Sequence, residues 1–269
     1  MKDLSQFFTH LDAFAHKEIF DGIEFVWDPI RRLHEIMERV LDKTTPAAKW
    51  VASLAGISSQ ELATSDPRKR VRGIVVKEWM EIRSPVYFEM LGIYIGKGTV
   101  LEPTAIVKGP AVIGEECEIR QGAYIRGNAI VGNHCVVGHA TEIKNSILMD
   151  HTEAGHFNYI GDSILGSHVN LGAGTKLANL QFRSNQEKEE NFIRPICIPI
   201  NGKEVDTGME KLGAVLGDYV EMGCNSATCP GALVGSNNWI YPNMTLPKGF
   251  YAPGAFISPQ GGKPRIQIK

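Results

Sequence analysis

The sequence predicts a mainly β protein: a parallel β-helix carrying a small, mostly helical N-terminal region. Two spacings make the case. From Ile95 to Ile143, nine aliphatic residues recur every six positions, at Ile95, Leu101, Val107, Ile113, Ile119, Ile125, Val131, Val137 and Ile143. Four places after each of the first eight stands a small residue: Thr99, Ala105, Ala111, Cys117, Ala123, Ala129, Cys135 and Thr141. A period of six suits neither an amphipathic helix, which repeats near 3.6, nor a half-buried strand, which repeats at 2. It suits a coil with three flat sides, each closed by one large interior plug and one small residue near the corner.

Residues 1–92 lack the period and form a cap or lid. Asp12 to Lys17 and Pro29 to Lys43 have helical patterns, the second with Pro29 in its first turn and a stripe of Ile30, Leu33, Ile36, Met37, Val40 and Leu41. A further short helix is expected over Ala47 to Leu54, ending at Gly56, and a capped turn from Ser58 or Ser59 through Leu62. Arg68 to Arg72 is a basic run broken by Val71, a pattern more common in solvated linkers than in binding patches. Ile74 to Ile82 is β-branched and aromatic enough for a strand leading to the coil. About 90 residues are too few for a nucleotide-binding α/β domain of ordinary size, and this stretch holds no glycine-rich phosphate loop.

The coil occupies residues 93–250. After Ile143 its plugs continue at Leu148, Ala154, Ile160, Leu165, Leu171 and Leu177, break near Leu180, and resume at Leu216, Met222, Thr228, Val234, Ile240 and Leu246. The excursion between, 181–211, contains a hairpin signal at Asn201-Gly202. Long insertions in solenoids map to one face and are often functional. The tail, 251–269, closes the coil.

Composition excludes several classes. A formal net charge of -2 gives no electrostatic case for nucleic acid or an anionic membrane. No apolar run reaches the roughly 18 residues of a membrane span, and the first residues lack a signal-peptide core. The five cysteines contain no CxxC pair, so neither a disulfide framework nor a cysteine zinc site is expected, and no metal is assigned. The expected compartment is the cytoplasm.

Residues about 18 apart, or 17 across a five-residue side, should stack on adjacent rungs about 4.8 Å apart. Lys108, Arg126 and Lys144 then share one column, which is costly unless an anion such as phosphate sits beside it. Read alone, the same column could be exposed and screened by solvent. Glu142 and Tyr159 project at the same corner, and His139 and His156 stack on the neighbouring face with Ala173 above them. His134, His151 and His168 form another column. Successive rungs place their nitrogens in a line rather than a tetrahedron, so a surface or interface ladder is favoured over a metal site.

The segment AGHFNYIGDSILGSHVNLGAGTKLAN (154–179), preceded by YIRGNAIVGNHCVVGHATEIKNS (124–146), resembles the C-terminal acetyltransferase domain of the bifunctional enzymes that form UDP-N-acetylglucosamine. KLGAVLGDYVEMGCNSATCPG (211–231) is similar to archaeal sugar-1-phosphate nucleotidylyltransferases carrying that domain. The resemblance covers roughly residues 93–250. It implies a left-handed coil, a homotrimer with active sites between subunits, and acetyl-CoA as co-substrate. The family's catalytic histidine falls on His156, and its sugar-phosphate ligands on Arg126, Lys144, Tyr159 and Asn170, with Glu142 beside them. Its acetyl-CoA contacts fall on Ala173 and Asn179, and a family serine on Cys224. The sequence departs from the pattern at Leu180, Cys224, Pro242 and the long excursion, and no nucleotidylyltransferase half accompanies it.

These residues predict acetyl transfer from acetyl-CoA to the amine of an amino-sugar-1-phosphate, with glucosamine-1-phosphate the first choice. An ammonium must lose a proton before it attacks a thioester, and histidine suits that task. A backbone N–H near Ala173 would steady the oxyanion, while Arg126 and Lys144 hold the phosphate. Three alternatives stay open: a nucleotide-sugar acetyltransferase, a γ-class carbonic anhydrase with zinc between subunits, and a non-catalytic scaffold. The anhydrase is weakened because neither five-residue histidine pair has a third histidine about 35 residues upstream.

Overall fold

A computed structural model describes residues 3–62, 71–260 and 263–268. Three flat parallel sheets wrap around a shared interior. The first contains Ile93–Ile95, Ala111–Ile113, Ala129–Val131, Ser146–Leu148, Ile164–Leu165, Ala214–Leu216, Ala232–Val234 and Gly249–Tyr251. The second runs from Val100–Leu101 through Val136–His139, Glu153–His156 and Asn170–Leu171 to Ala255–Gln260. The third runs from Ile106–Lys108 through Tyr124–Ile125, Glu142–Lys144, Tyr159–Gly161 and Lys176–Leu177 to Thr245–Leu246.

Register follows the plugs. Ile95 pairs with Ile113, Leu101 with Ile119, and Val107 with Ile125, each one rung above the last. Every plug from Ile95 to Leu246 is buried, and so is every small residue from Thr99 to Thr141. A one-residue slip would turn a whole row of plugs outward, so burial fixes the register strongly. Cys117 and Cys135 are fully enclosed free thiols, occupying the space that alanine takes on other rungs.

The three sheets differ in what covers their outer sides. In the first, the residue before each plug is itself apolar: Tyr94, Val112, Ile130, Ile147, Ile164, Val215 and Leu233, all buried. Phe7, Phe8, Trp27, Ile30 and Leu33 of the N-terminal region pack onto this row. So do Ile196, Ile198 and Ile200 from the excursion, whose Cys197–Ile200 and Lys203–Asp206 strands form an antiparallel hairpin. A sheet buried on both sides needs apolar residues at consecutive positions. In the second and third sheets the same position is mostly polar or tyrosine, as at Glu118, Tyr124, Glu142, Glu153, Tyr159, Asn170, Lys176 and Glu221, and its apolar members Val100, Ile106 and Val136 are only partly buried, so those faces stay open.

The N-terminal region departs from expectation in detail. Asp12 to Lys17 is not one helix; 3-10 turns occupy Leu11–Ala13 and Lys17–Phe20. Pro29 to Lys43 is divided at Arg32 into Asp28–Arg31 and Leu33–Thr44. The expected helix over Ala47 to Leu54 is absent: Thr45–Ala47 is a 3-10 turn and Lys49–Trp50 a strand beside Val86–Phe88. The expected turn after Ser58 is instead the strand Ile57–Leu62, antiparallel to Val71–Val76. Tertiary pairing overrides local propensity in both places. Val71–Val76, Met80–Glu81 and Val86–Phe88 each pair antiparallel with the lowest strand of one sheet, covering edges that would otherwise invite association. Of the basic run, residues 68–70 lie outside the described residues. No described helix is long and apolar enough to cross a membrane.

The histidine column is a stacked ladder. The rings of His134, His151, His168 and Tyr219 lie 4.7, 4.6 and 4.7 Å apart with interplanar angles of 7°, 2° and 3°. Plane-to-plane rings direct their lone pairs side by side, not towards a common point. Among the described residues no group of three His, Cys, Asp or Glu side chains is placed to hold a metal ion. His10 closes the ladder, its Nε2 3.0 Å from the Tyr219 hydroxyl and its N–H donating to Asp218 at 2.7 Å.

Two expectations for stability follow. Ile143→Ala should destabilise the coil by about 2–5 kcal/mol, the usual cost of emptying a packed aliphatic site, measured by denaturant unfolding. The second concerns acid. Burial, then His151 and His10, hold His168 below the ordinary histidine value, against Asp218 and Asp150. Burial, with Lys43, does the same to His16, against Glu18 and Asp150. The unfolded chain therefore binds more protons than the folded one between the two sets of values. Stability is full above about pH 6.5 and is lost as pH falls through the depressed folded values. The melting temperature should fall as pH is lowered below about 6.5, and a His16→Gln, His168→Asn double variant should flatten the slope.

Candidate functional site

The corner where the second sheet turns into the third gathers the candidate residues. It requires a left-handed backbone on every rung, taken by Thr104, Gly122, Ala140, Phe157, Gly174, Asn225 and Asn243. Gly174, at φ +74°, has no room for a side chain: a Cβ would lie 2.7 Å from the Phe157 ring. Phe157, at φ 38°, is the bulky exception in the row, and such a residue is a conformational outlier. His156 precedes it, exposed at the end of its strand and paired with His139 below.

One rung above His156 is the Gly172-Ala173-Gly174 turn. Gly174 N–H donates to the His156 carbonyl at 3.1 Å, and the Ala173 carbonyl accepts from Asn225 N–H at 2.8 Å. Among the described residues no acceptor pairs with the Ala173 N–H. An exposed imidazole and an unpaired N–H thus occupy adjacent rungs of one corner.

The third sheet supplies the charged side. Arg126 Nη1 lies 2.6 Å from Glu142 Oε1, and Lys144 Nζ lies 3.3 Å from Asp162 Oδ2. Lys108 separates from the other two cations. It is buried, donates to the Tyr124 hydroxyl at 2.6 Å and lies over that ring, 5.0 Å from its centroid. Part of the column's charge is thus met from within the protein. Glu142 and Asp162 already interleave with Arg126 and Lys144. Arginine offers five donors and lysine three, so each keeps donors for a ligand after these contacts.

Tyr159 stands between Glu142 and Lys176 in the same sheet. Burial foremost, then the Glu142 and Asp162 carboxylates, raise its phenol above the ordinary value. Asn179 Nδ2 donates a short hydrogen bond to Asp162. Asp162 was not singled out by sequence reasoning, though it belongs to the quoted IGD stretch. Nearly buried in the left-handed region, it takes Lys144, Asn179 and Asn145 Nδ2, the last at 2.8 Å, and so anchors two candidates at once.

Asn170 and Cys224 lie on the second sheet's side of the corner. Asn170 Nδ2 donates to Glu221 Oε2 at 2.8 Å. Cys224 is exposed, in a shallow groove of about 380 Å³ that also includes Gly172, Trp239 and Pro242. The excursion divides. Its hairpin covers the first sheet, away from this corner, while Leu180, Gln181, Phe182 and Arg194 border the third sheet at Ala227 and Thr245.

With this geometry in view, known proteins can be compared. A family model described as the GMPPB C-terminal domain matches residues 107–229. The bifunctional sugar-1-phosphate nucleotidylyltransferase/acetyltransferase of Sulfurisphaera tokodaii is 32% identical over 164 residues, which is 54% of this chain and 39% of that protein. The bifunctional protein GlmU of Methanococcus maripaludis strain C5 is 36% identical over 110 residues, 41% of this chain and 24% of that one. A solved structure, UDP-N-acetylglucosamine acyltransferase of Francisella novicida, aligns with a TM-score of 0.30 at 15% identity, over 65% of this chain and 62% of that one. The chain thus spans well under half the length of these two curated relatives.

The thiols give a direct check on the corner. In the native protein an alkylating reagent should modify Cys224 first and leave Cys117 and Cys135 untouched until denaturation, as read by peptide mass spectrometry.

Proposed function

We propose that this protein transfers an acetyl group from acetyl-CoA to the amine of an amino-sugar-1-phosphate, with glucosamine-1-phosphate as acceptor. The observation that carries this reading is that exposed His156 and the unpaired Ala173 N–H stand on adjacent rungs of one corner, with Arg126 and Lys144 on the sheet that leads away from it. The Sulfurisphaera tokodaii relative, whose name includes acetyltransferase, supports it.

In this reading the phosphate sits on Arg126 and Lys144, with Tyr159 and Asn170 along the sugar and Glu142 holding the Arg126 fork in place. The sugar amine then faces the corner. Its nitrogen attacks the thioester carbonyl, His156 takes the amine proton, and negative charge gathers on the carbonyl oxygen beside the Ala173 N–H. Collapse forms the amide, breaks the carbon–sulfur bond, and releases CoA as the thiol after His156 returns the proton. The groove past Cys224 and Pro242 takes the pantetheine arm, and Asn179 borders the site from above.

The first sheet is covered by the N-terminal region and the hairpin, so association between copies must use the second and third sheets. A homotrimer assembled on those faces places each corner against a neighbouring subunit and excludes water from the thioester. The N-terminal region acts in this account as a permanent cover for the first sheet.

Thiol release from acetyl-CoA in the presence of glucosamine-1-phosphate tests the reading. Turnover should require the phosphate and fall on the order of 10²–10⁴-fold in His156→Ala. Turnover unchanged by His156→Ala would overturn the assignment of the base, and no turnover with any amino-sugar phosphate would overturn the activity.

A further inference from the structure

We propose that Asn158 is the positioning residue that sets the His156 base and the Ala173 oxyanion donor against each other; this rests on the acetyl-transfer reading above. Asn158 occupies the small-residue slot of the corner. Rung by rung that column reads Ala105, Ala123, Thr141, Asn158, Thr175, Ser226 and Met244, small between Ala105 and Ser226 except at Asn158. Within this column a buried amide stands only on the rung that carries His156, and it is 2% exposed.

Its two polar ends are both used. The Oδ1 accepts the His156 backbone N–H at 3.1 Å, and the Nδ2 donates to the Gly172 carbonyl at 2.9 Å. A donor on one side and an acceptor on the other permit only one orientation of the amide. Thr141 Oγ1 braces it from below, 3.5 Å from Oδ1 and 3.3 Å from the Asn158 N–H. The side chain therefore spans two rungs and ties the backbone of His156 to the turn above.

The consequence for Ala173 follows from peptide geometry. The Gly172 C=O and the Ala173 N–H belong to one planar trans peptide and point in opposite directions. Holding the carbonyl inward on the buried Asn158 amide turns the N–H outward, to the side where His156 is exposed. Phe157 adds a second argument. Its φ of 38° is strained for an aromatic residue, and such strain persists only where the surroundings over-determine it. Its N–H is held by the His139 carbonyl at 2.6 Å, and the residues on either side of it are joined through the Asn158 amide. One side chain thus fixes the base's backbone, the oxyanion donor's plane and the strained link between base and clamp.

A positioning role separates from a packing role by which parameter moves. Asn158→Ala empties the corner; Asn158→Thr keeps a residue type that the neighbouring rungs accept at Thr141 and Thr175. In the acetyl-CoA and glucosamine-1-phosphate assay, Asn158→Thr should lower kcat about 10–100-fold, the scale of losing near-attack geometry. KM for both substrates should stay within about twofold. Thermal melting of the Thr variant should match the wild type, and the His156 amide should exchange with solvent faster in both variants. Wild-type kcat in Asn158→Thr, or a loss of kcat matched by a rise in KM and a fall in melting temperature, would overturn the proposal while leaving the acetyl-transfer reading intact. An unsubstituted protein without turnover would overturn the acetyl-transfer reading and, with it, the catalytic purpose of the clamp.

Discussion

Everything in this protein depends on the parallel pairing of one rung with the next. Apart from the excursion, the side of the coil is six residues, or five at three places, and the interior accepts one plug per side, so each residue has a fixed neighbour above and below. Outward side chains are consequently arranged in columns set by the strand spacing of about 4.8 Å. A chemical site needs groups held rigidly at a few ångströms, and a column supplies that without any dedicated loop. His139, His156 and Ala173 are successive members of one column, and Arg126, Lys144 and Gly161 of another.

The same regularity creates an electrostatic problem, because like residues stack on like. The structure answers it by pairing each cation with a residue from a neighbouring position: Lys108 with Tyr124, Arg126 with Glu142, Lys144 with Asp162. These contacts orient the cations as much as they neutralise them. In the proposed reaction a phosphate arriving at Arg126 and Lys144 would meet donors already aimed, which would lower the ordering cost of binding. The histidine ladder shows a different arrangement of like residues, rings stacked plane to plane, with His168 held below its ordinary value by burial and by its neighbours.

Much of this was legible in the sequence and some was not, for identifiable reasons. The plugs and small slots were read residue by residue because burial enforces them without exception from Ile95 to Ile143. The identity of the covered face was equally present, in the apolar residues preceding every third plug, such as Val112, Ile130 and Ile147, but it shows only when the chain is read in eighteens. The strands at Lys49–Trp50 and Ile57–Leu62 were missed because their stability comes from partners far along the chain, Val86–Phe88 and Val71–Val76. Among the candidate site residues, His156, Arg126 and Lys144 were named from spacing and resemblance. Asp162 and Asn158 were not, since nothing in a one-dimensional pattern distinguishes a buried aspartate or asparagine that braces two rungs from one that only turns a corner.

The most direct measurement is the fate of the acetyl carbon. The protein would be incubated with glucosamine-1-phosphate and acetyl-CoA labelled at the carbonyl carbon, and the products followed by carbon NMR. The account predicts a single new amide carbonyl on the sugar nitrogen, appearing as the thioester signal declines. An ester carbonyl on a sugar hydroxyl, label recovered only as free acetate, or an unchanged thioester would contradict it.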